Sequence, residues 1–247
     1  MRPLAMVIGA SQRVGRAVAL ELARAGFDLV ATFHTDQVGA NETCSMAVAL
    51  GAKVTLLKLD LGDTDATLQT VRSLAMDTLD ALIVSAGMWE KDFVDGQQSV
   101  QAAKLMRVNA TTPMELARML SPALRRSTLP GGASVMAFGD IHVDFRPMKE
   151  FSHYLASKSA LQKSFRNLAL ELAPHIRVNV IVAGVIAWPQ SMGANELAAY
   201  LERVPLGRVG TPNDAAALIR FVTMEAPFMT GSAIMLDGGR SLGHDVG

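Results

Sequence analysis

The chain has 247 residues, half of them hydrophobic and 19% charged, which supplies one large buried core and is short for two independent ones. Lys+Arg and Asp+Glu each total 23, so no net field draws the chain onto nucleic acid or an anionic membrane. The single cysteine, Cys44, excludes an intrachain disulfide and has no metal-ligand neighbours at useful spacing, which points to a reducing, cytoplasmic setting.

The first apolar run, residues 4–8, is stopped by Gly9 and is too short for a signal segment or a membrane span. It predicts a buried strand. Further strands are predicted at 28–33, 53–59, 80–84, 134–138, 176–182 and 233–236. Most are nearly continuous runs of Val, Ile, Leu and Ala, as in a parallel sheet covered on both faces. Between them apolar residues fall at helical spacing. Val14, Val18 and Leu22 line a first helix that Gly26 ends. Leu105, Val108, Met114 and Leu120 mark one longer helix, and Leu161, Phe165, Leu168 and Leu172 another, stopped near Pro174. The alternation predicts an α/β fold of about seven strands, a doubly wound parallel sheet in a single domain over 1–247. Ligands in such sheets bind beyond the carboxyl ends of the strands.

The unusual residues lie there. Gly9, Ser11, Arg13, Val14 and Gly15 connect the first strand to the first helix, where small residues and free N–H groups suit a phosphate. Gly9 and Gly15 are six apart, which is not the G-x-G-x-x-G spacing, and an ordinary tight turn reads the same way. The second strand ends in Phe33-His34-Thr35, with no acid for ribose hydroxyls before Asp36. Arg13, helped by His34 and Thr35, could hold a 2′-phosphate, so the pattern favours NADPH over NADH. Asp60-Leu61 offers a carboxylate to an adenine amine. Ser85-Ala86-Gly87 is a small-residue turn where a cofactor could lie close.

Tyr154 and Lys158 stand at i and i+4 on one helical face. An ammonium near a phenol lowers its pKa and makes it a usable general acid. Asn109, in a helical stretch, is a solvated amide or the holder of a water in a proton relay. The five histidines show no metal spacing, although His142 and His153 flank this region; no metal is expected.

These pieces, followed by Arg177-Val178-Asn179 and Asp237-Gly238-Gly239, come in an order that resembles the short-chain dehydrogenase/reductases over essentially the full length. The resemblance implies a Rossmann-like sheet, commonly a homotetramer, a catalytic set at Asn109, Tyr154 and Lys158, and cofactor contacts at Gly184 and Ile186. It also implies a C-terminus, with His244, directed toward a neighbouring subunit's site. Several residues depart from the family pattern. Arg13 replaces the middle glycine, Ser85 the usual Asn, and Ala183 the proline before Gly184. The expected threonine is absent from Val185-Ile186-Ala187-Trp188. In place of the serine upstream of Tyr154 stands Ile141, with Asp140 one residue further.

An Arg in the glycine loop and an Asp at the serine position resemble the pteridine reductase and dihydromonapterin reductase branch. That branch also places an aromatic where Trp89 stands, to sandwich a flat pterin. The implied substrate contacts are Trp89, Arg13, Asp140 and Trp188, with Asp140 accepting pterin N–H groups or sharing in proton supply. Alternatively Trp89 packs under a loop and Asp140 caps a turn. Residues 187–207, with helical character at 194–203 and with Met192 and Leu197, are expected to form a lid. The expected activity is pterin reduction, with a carbonyl reductase such as a 3-oxoacyl reductase as one alternative. A non-catalytic protein that senses NADP(H) is the alternative from another class.

Overall fold

The computed structural model describes residues 2–92, 97–188 and 193–243. Seven strands, β1 (Leu4–Ile8), β2 (Asp28–Phe33), β3 (Val54–Lys58), β4 (Ala81–Val84), β5 (Ala133–Asp140), β6 (Ile176–Ala183) and β7 (Ala233–Leu236), form one sheet in the order β3-β2-β1-β4-β5-β6-β7. Every pairing is parallel. The helices are α1 (Arg13–Arg24), α2 (Gln37–Ala49), α3 (Thr64–Arg72), α4 (Gln98–Met106), α5 (Thr112–Leu124), α6 (Ser152–Leu172), α7 (Ala194–Leu201) and α8 (Pro212–Met224). This is the doubly wound, Rossmann-like single domain that the alternation predicts.

Strand period explains the two cores. Met6 and Ile8 of β1 face one side, where they join Leu82, Val135, Leu116 and Phe165. Ala5 and Val7 face the other, with Val18 and Leu22 of α1 and Ile219 and Val222 of α8. Two polar residues on β6 staple the far edge. The Arg177 guanidinium donates to the carbonyls of Val222 at 2.7 Å and Thr223 at 2.9 Å. The Asn179 amide donates to Met229 O and accepts from Ser232 N. The Arg177-Val178-Asn179 signature therefore serves the scaffold.

Two differences from expectation shape the site. β5 runs two residues past its predicted end, because Gly139 and Asp140 pair with Val182 and Ala183 of β6 although their composition reads as a turn. Asp140 thus stands on the last rung of a rigid strand. The single long helix expected around Leu105–Leu120 is α4 and α5 joined by a π-helical segment, Arg107–Thr111, in which Thr112 N–H bonds back to Arg107 O. Pro113 has no N–H to offer the carbonyl of Asn109 four residues earlier, so the α ladder cannot continue unbroken there. The extra residue lies where Asn109 sits, as π-bulges often do at functional positions.

Candidate active site

The turns after β1, β2, β3 and β4 enclose a hollow of about 320 Å³ lined by Gly9, His34, Asp60, Leu61, Ala86 and Gly87. Glycine is required at its floor. A Cβ on Gly9, whose φ is +85°, would come within 2.8 Å of the Ala86 methyl, and one on Gly15 within 1.8 Å of Gly9 O. Gly9 N–H donates to the Thr32 hydroxyl, and Ser85 and Ala86 N–H both donate to Ile8 O, which brings the two turns together. No side chain caps the N-terminus of α1 at Gln12, which leaves its first N–H groups to a ligand. A dinucleotide fits this cradle: a backbone that admits no Cβ, and an uncapped helix start for its phosphates.

At the ribose side the carboxylate of Asp36 accepts from Gly39 N and caps α2, so it is committed away from the hollow. His34 is exposed, with Nε2 3.7 Å from Asp60 Oδ2, and Thr35 lies exposed beside it. Ser11 is nearly buried, its carbonyl held by Arg16. Val14 begins the face of α1 that packs on the sheet. Arg13 stands away from the phosphate position expected of it and on the side expected of a substrate contact. Its φ is +50°, a left-handed conformation that costs a non-glycine residue about 1–2 kcal/mol. From there its guanidinium donates to Ala187 O at 2.7 Å and Ile186 O at 3.5 Å. It spans the mouth of a second cleft and does not line the hollow.

That second cleft, of about 380 Å³, is lined by Arg13, Trp89, Asp140, Tyr154, Ile186 and Trp188, with Gly184 and His142 also in its wall. The chemistry gathers here. The Tyr154 hydroxyl donates to Asp140 Oδ2 at 2.5 Å, and Oδ1 of the same carboxylate accepts from His142 N at 2.8 Å. The His142 Nδ1 lies 2.7 Å from that Oδ1 and donates to it. Lys158, buried, donates from Nζ to Phe138 O at 2.8 Å. The Asn109 amide brackets the Met88 backbone, accepting from its N–H at 2.8 Å and donating to its carbonyl at 2.9 Å, and reaches Ser157 Oγ at 2.9 Å. A Cβ on Gly87 would lie 3.3 Å from both Asn109 Oδ1 and Lys158 Nζ, so the fourth turn, the π segment and α6 meet at this glycine.

These contacts set the titration. Burial raises the Asp140 pKa, but hydrogen bonds from His142 and Tyr154 outweigh it and leave the carboxyl below its usual range. Tyr154 goes the other way: burial, then the charge and hydrogen bond of Asp140, push its phenol well above the ordinary value. Burial first, and then the Asp140 carboxylate in direct contact, thus act on Tyr154 against the acidification expected from Lys158. Burial brings Lys158 down to about 8, with Asp140 opposing. His142 did not figure among the expected site residues. Its signal was the Asp-x-His spacing, which lets a side chain fold back onto the carboxylate two residues before it.

Trp89, exposed, stacks one face on Phe151 at 4.8 Å and 22°, and Phe151 meets Tyr154 edge-on. Trp188 packs 5.5 Å from the Tyr200 ring, whose hydroxyl accepts from Val185 N. Tyr200 belongs to α7, the core of the expected lid, which has no buried residue and ends two residues before the predicted limit. Met192 and His244 lie outside the described residues. Among the described residues no helix is long and apolar enough to cross a membrane, and no group of three or more His, Cys, Asp or Glu could hold a metal ion.

A Rossmann-like sheet with a glycine cradle and a Tyr–Lys pair beyond the strand ends defines an oxidoreductase that uses a nicotinamide cofactor, NAD(P)H. Residues 9–241 match the family model described as Enoyl-(Acyl carrier protein) reductase, and the chain belongs to the short-chain dehydrogenase/reductases. It is 30% identical to the uncharacterized oxidoreductase YohF of Escherichia coli, covering 99% of this chain and 98% of that one. It is 26% identical to glucose 1-dehydrogenase 2 of Bacillus subtilis, over 96% and 94% of the two chains. The crystal structure of acetoin dehydrogenase from Enterobacter cloacae superposes with a TM-score of 0.87 at 26% identity, over 100% and 98%.

Proposed function

We propose that this protein is an NADPH-dependent reductase of a pterin, converting a dihydropterin to its tetrahydro form. The observation that carries this reading is the Asp140 carboxylate on the Tyr154 hydroxyl, in the cleft that also holds Trp89. A serine hydroxyl can donate to a carbonyl oxygen, whereas an ionised carboxylate only accepts. A ketone would turn its lone pairs toward that charge. An aminopyrimidine ring presents N–H donors to it, and its flat face suits the indole.

NADPH supplies the hydride when bound. Lys158 would hold the nicotinamide ribose with the donors that Phe138 O leaves free. Asp140 and Tyr154 titrate as a pair that, with water, would supply one proton and keep another shared between them, and His142 orients the carboxylate. Passing that proton to the ring nitrogen, as hydride reaches the neighbouring carbon, completes the reduction of C=N to CH–NH. Asn109 positions the Met88 turn and Ser157. Preference for NADPH follows from the end of β2, where Asp36 is committed to α2 and His34 and Thr35 can meet a 2′-phosphate. Residues 187–207 act as a lid, Trp188 and Tyr200 closing one side. A cytoplasmic homotetramer fits the family habit.

A second reading, a carbonyl reductase, is favoured by the relatives whose names specify glucose and acetoin as substrates. The test follows NADPH oxidation by absorbance with dihydromonapterin, dihydrobiopterin and a 3-oxoacyl thioester. Pterin turnover that is lost in Trp89→Ala and Tyr154→Phe supports the reductase. Turnover of the thioester alone replaces it with the second reading. NADPH binding with no turnover, unchanged in Tyr154→Phe, would point to a sensor.

A further inference from the structure

Three arginines from separate elements bear on one place: the charges of Arg146 and Arg203 both act on Arg240, and Arg146 Nη2 lies 3.5 Å from where a Cβ on Gly243, three residues past Arg240, would stand. Arg146 follows β5, Arg203 lies just past α7, and Arg240 opens the short 3-10 turn Arg240–Leu242 after β7. Arg240 is 5% exposed, yet among the described residues its buried Nε and Nη1 have no hydrogen-bond partner, and neither has the buried Nη2 of Arg146. Buried donors of this kind are ordinarily matched by an acceptor, and buried charges by an opposite charge. Burial, then the charges of Arg203 and Arg146, push the Arg240 pKa below its ordinary value, the reverse of what an ion-paired guanidinium shows. Asp237 offsets this only in part, since its two oxygens accept from Gly239 N at 3.0 Å and Ser241 N at 2.7 Å. Among the described residues none of the three arginines enters an ion pair.

We infer that Arg146, Arg203 and Arg240 form a binding site for an oxyanion, a phosphate or carboxylate group, whose occupancy ties α7 to the body of the domain. Such a group offers several acceptor oxygens to planar N–H forks, which is what the orphaned donors lack. Arg240 lies 5.8 Å from the centre of the Tyr200 ring, and Tyr200 and His142 both line the cleft. The site therefore backs directly onto the cleft wall. α7 contributes no buried residue of its own, so a bridge from Arg203 to Arg146 and Arg240 would be a principal tie for it. A free anion or an acidic side arm of a substrate could supply this chemistry. The second source rests on the pterin reading, and the first does not.

The test uses the full chain, with thermal unfolding and titration calorimetry in inorganic phosphate against sodium chloride at matched ionic strength. Wild type, Arg203→Gln and Arg146→Gln are compared; Arg203 is exposed, so its replacement leaves the core untouched. At about ten times Kd, phosphate should raise the wild-type Tm by roughly 3–6 °C, and neither variant should respond. A pterin bearing a carboxylate arm, compared with a neutral one, separates the sources. A KM about tenfold lower for the acidic pterin, lost in Arg203→Gln and opposed by phosphate, assigns the oxyanion to the substrate. Phosphate binding without such competition assigns it to a free anion. Equal responses in all three proteins, or none beyond sodium chloride, overturn the inference. Failure of every pterin beside an intact phosphate response counts against the cleft reading alone.

Discussion

The hydroxyl of Tyr154 donates to the carboxylate of Asp140 over 2.5 Å, and that carboxylate is held from its other side by the backbone and ring of His142. Tyr154 is therefore a reluctant acid by itself, because losing its proton would set a phenolate against a carboxylate. The pair can release a proton at modest cost only from its doubly protonated form, which leaves one proton shared between them. Asp140→Asn removes the charge while keeping the shape, and should bring the Tyr154 pKa down. It should also lower kcat/KM for a pterin by about 10²–10⁴, the usual worth of a positioned acid–base group. Asp140→Ser should lose the pterin and gain turnover of a simple ketone. Pterin kinetics unchanged in Asp140→Asn would remove the carboxylate from the mechanism.

Lys158 gives a pH prediction with a definite sign. Its folded pKa is lowered from an ordinary 10.5 to about 8 by burial, so between these values the unfolded chain binds more protons than the folded one. The contribution of this group to stability then rises with pH across that window, and below it the buried charge is a standing cost. Lys158→Met removes that cost. At pH 7 its Tm should equal or exceed wild type, with the gap closing as pH rises from 8 toward 10.5, while activity is lost at every pH. A variant less stable at pH 7 than at pH 10, relative to wild type, would reverse the sign.

Trp89 separates binding from folding. It is 52% exposed and stacks on Phe151, so truncation opens no core cavity. Trp89→Ala should leave the Tm nearly unchanged and raise the KM for a pterin roughly 3–10-fold, the worth of one aromatic stack. Trp89→Phe should recover most of it. The contrast is Phe165→Ala in the core, 0% exposed, which should cost about 3–5 kcal/mol measured by denaturant unfolding.

The proposed preference for NADPH rests on the end of β2, where the Asp36 carboxylate is turned to the start of α2. Thr35→Asp supplies another. The ratio of kcat/KM for NADPH over NADH should fall about tenfold or more, equivalent to about 1.4 kcal/mol. An unchanged ratio would place the discrimination elsewhere.

The sheet was legible because most strands are nearly continuous apolar runs and α1, α5 and α6 carry apolar residues at helical spacing. Leu4–Ile8 and Ala233–Leu236 could be read to the residue. Local pattern failed where long-range pairing decides: Gly139 and Asp140 have turn composition, and only register with Val182 and Ala183 makes them strand. Tyr154, Lys158 and Asp140 were visible as a spacing. What they do to one another was not, since the Tyr154 shift follows from its burial and from the group its hydroxyl touches. Arg13 suggested a phosphate by its place in the glycine loop, but its left-handed backbone and its reach to Ala187 follow from three dimensions. The convergence of Arg146, Arg203 and Arg240 leaves no local trace at all.

The π segment yields the last prediction. Pro113 withholds an N–H from Asn109 O, and the chain responds with the wider turn closed by Thr112 N–H on Arg107 O. Pro113→Ala restores the missing donor, so an α bond from residue 113 to Asn109 O becomes available and the extra residue loses its reason. Relief of that break should hold or raise the Tm. A turn rewound to α geometry would rotate Asn109 away from Met88 and Ser157, releasing the bracket that fixes the fourth turn. Activity should fall by about tenfold or more, with kcat affected more than KM, since geometry of 1 Å matters to hydride and proton transfer alike. Loss of both Tm and activity would mean that Pro113 serves packing, and that the π segment is held by something other than the missing donor.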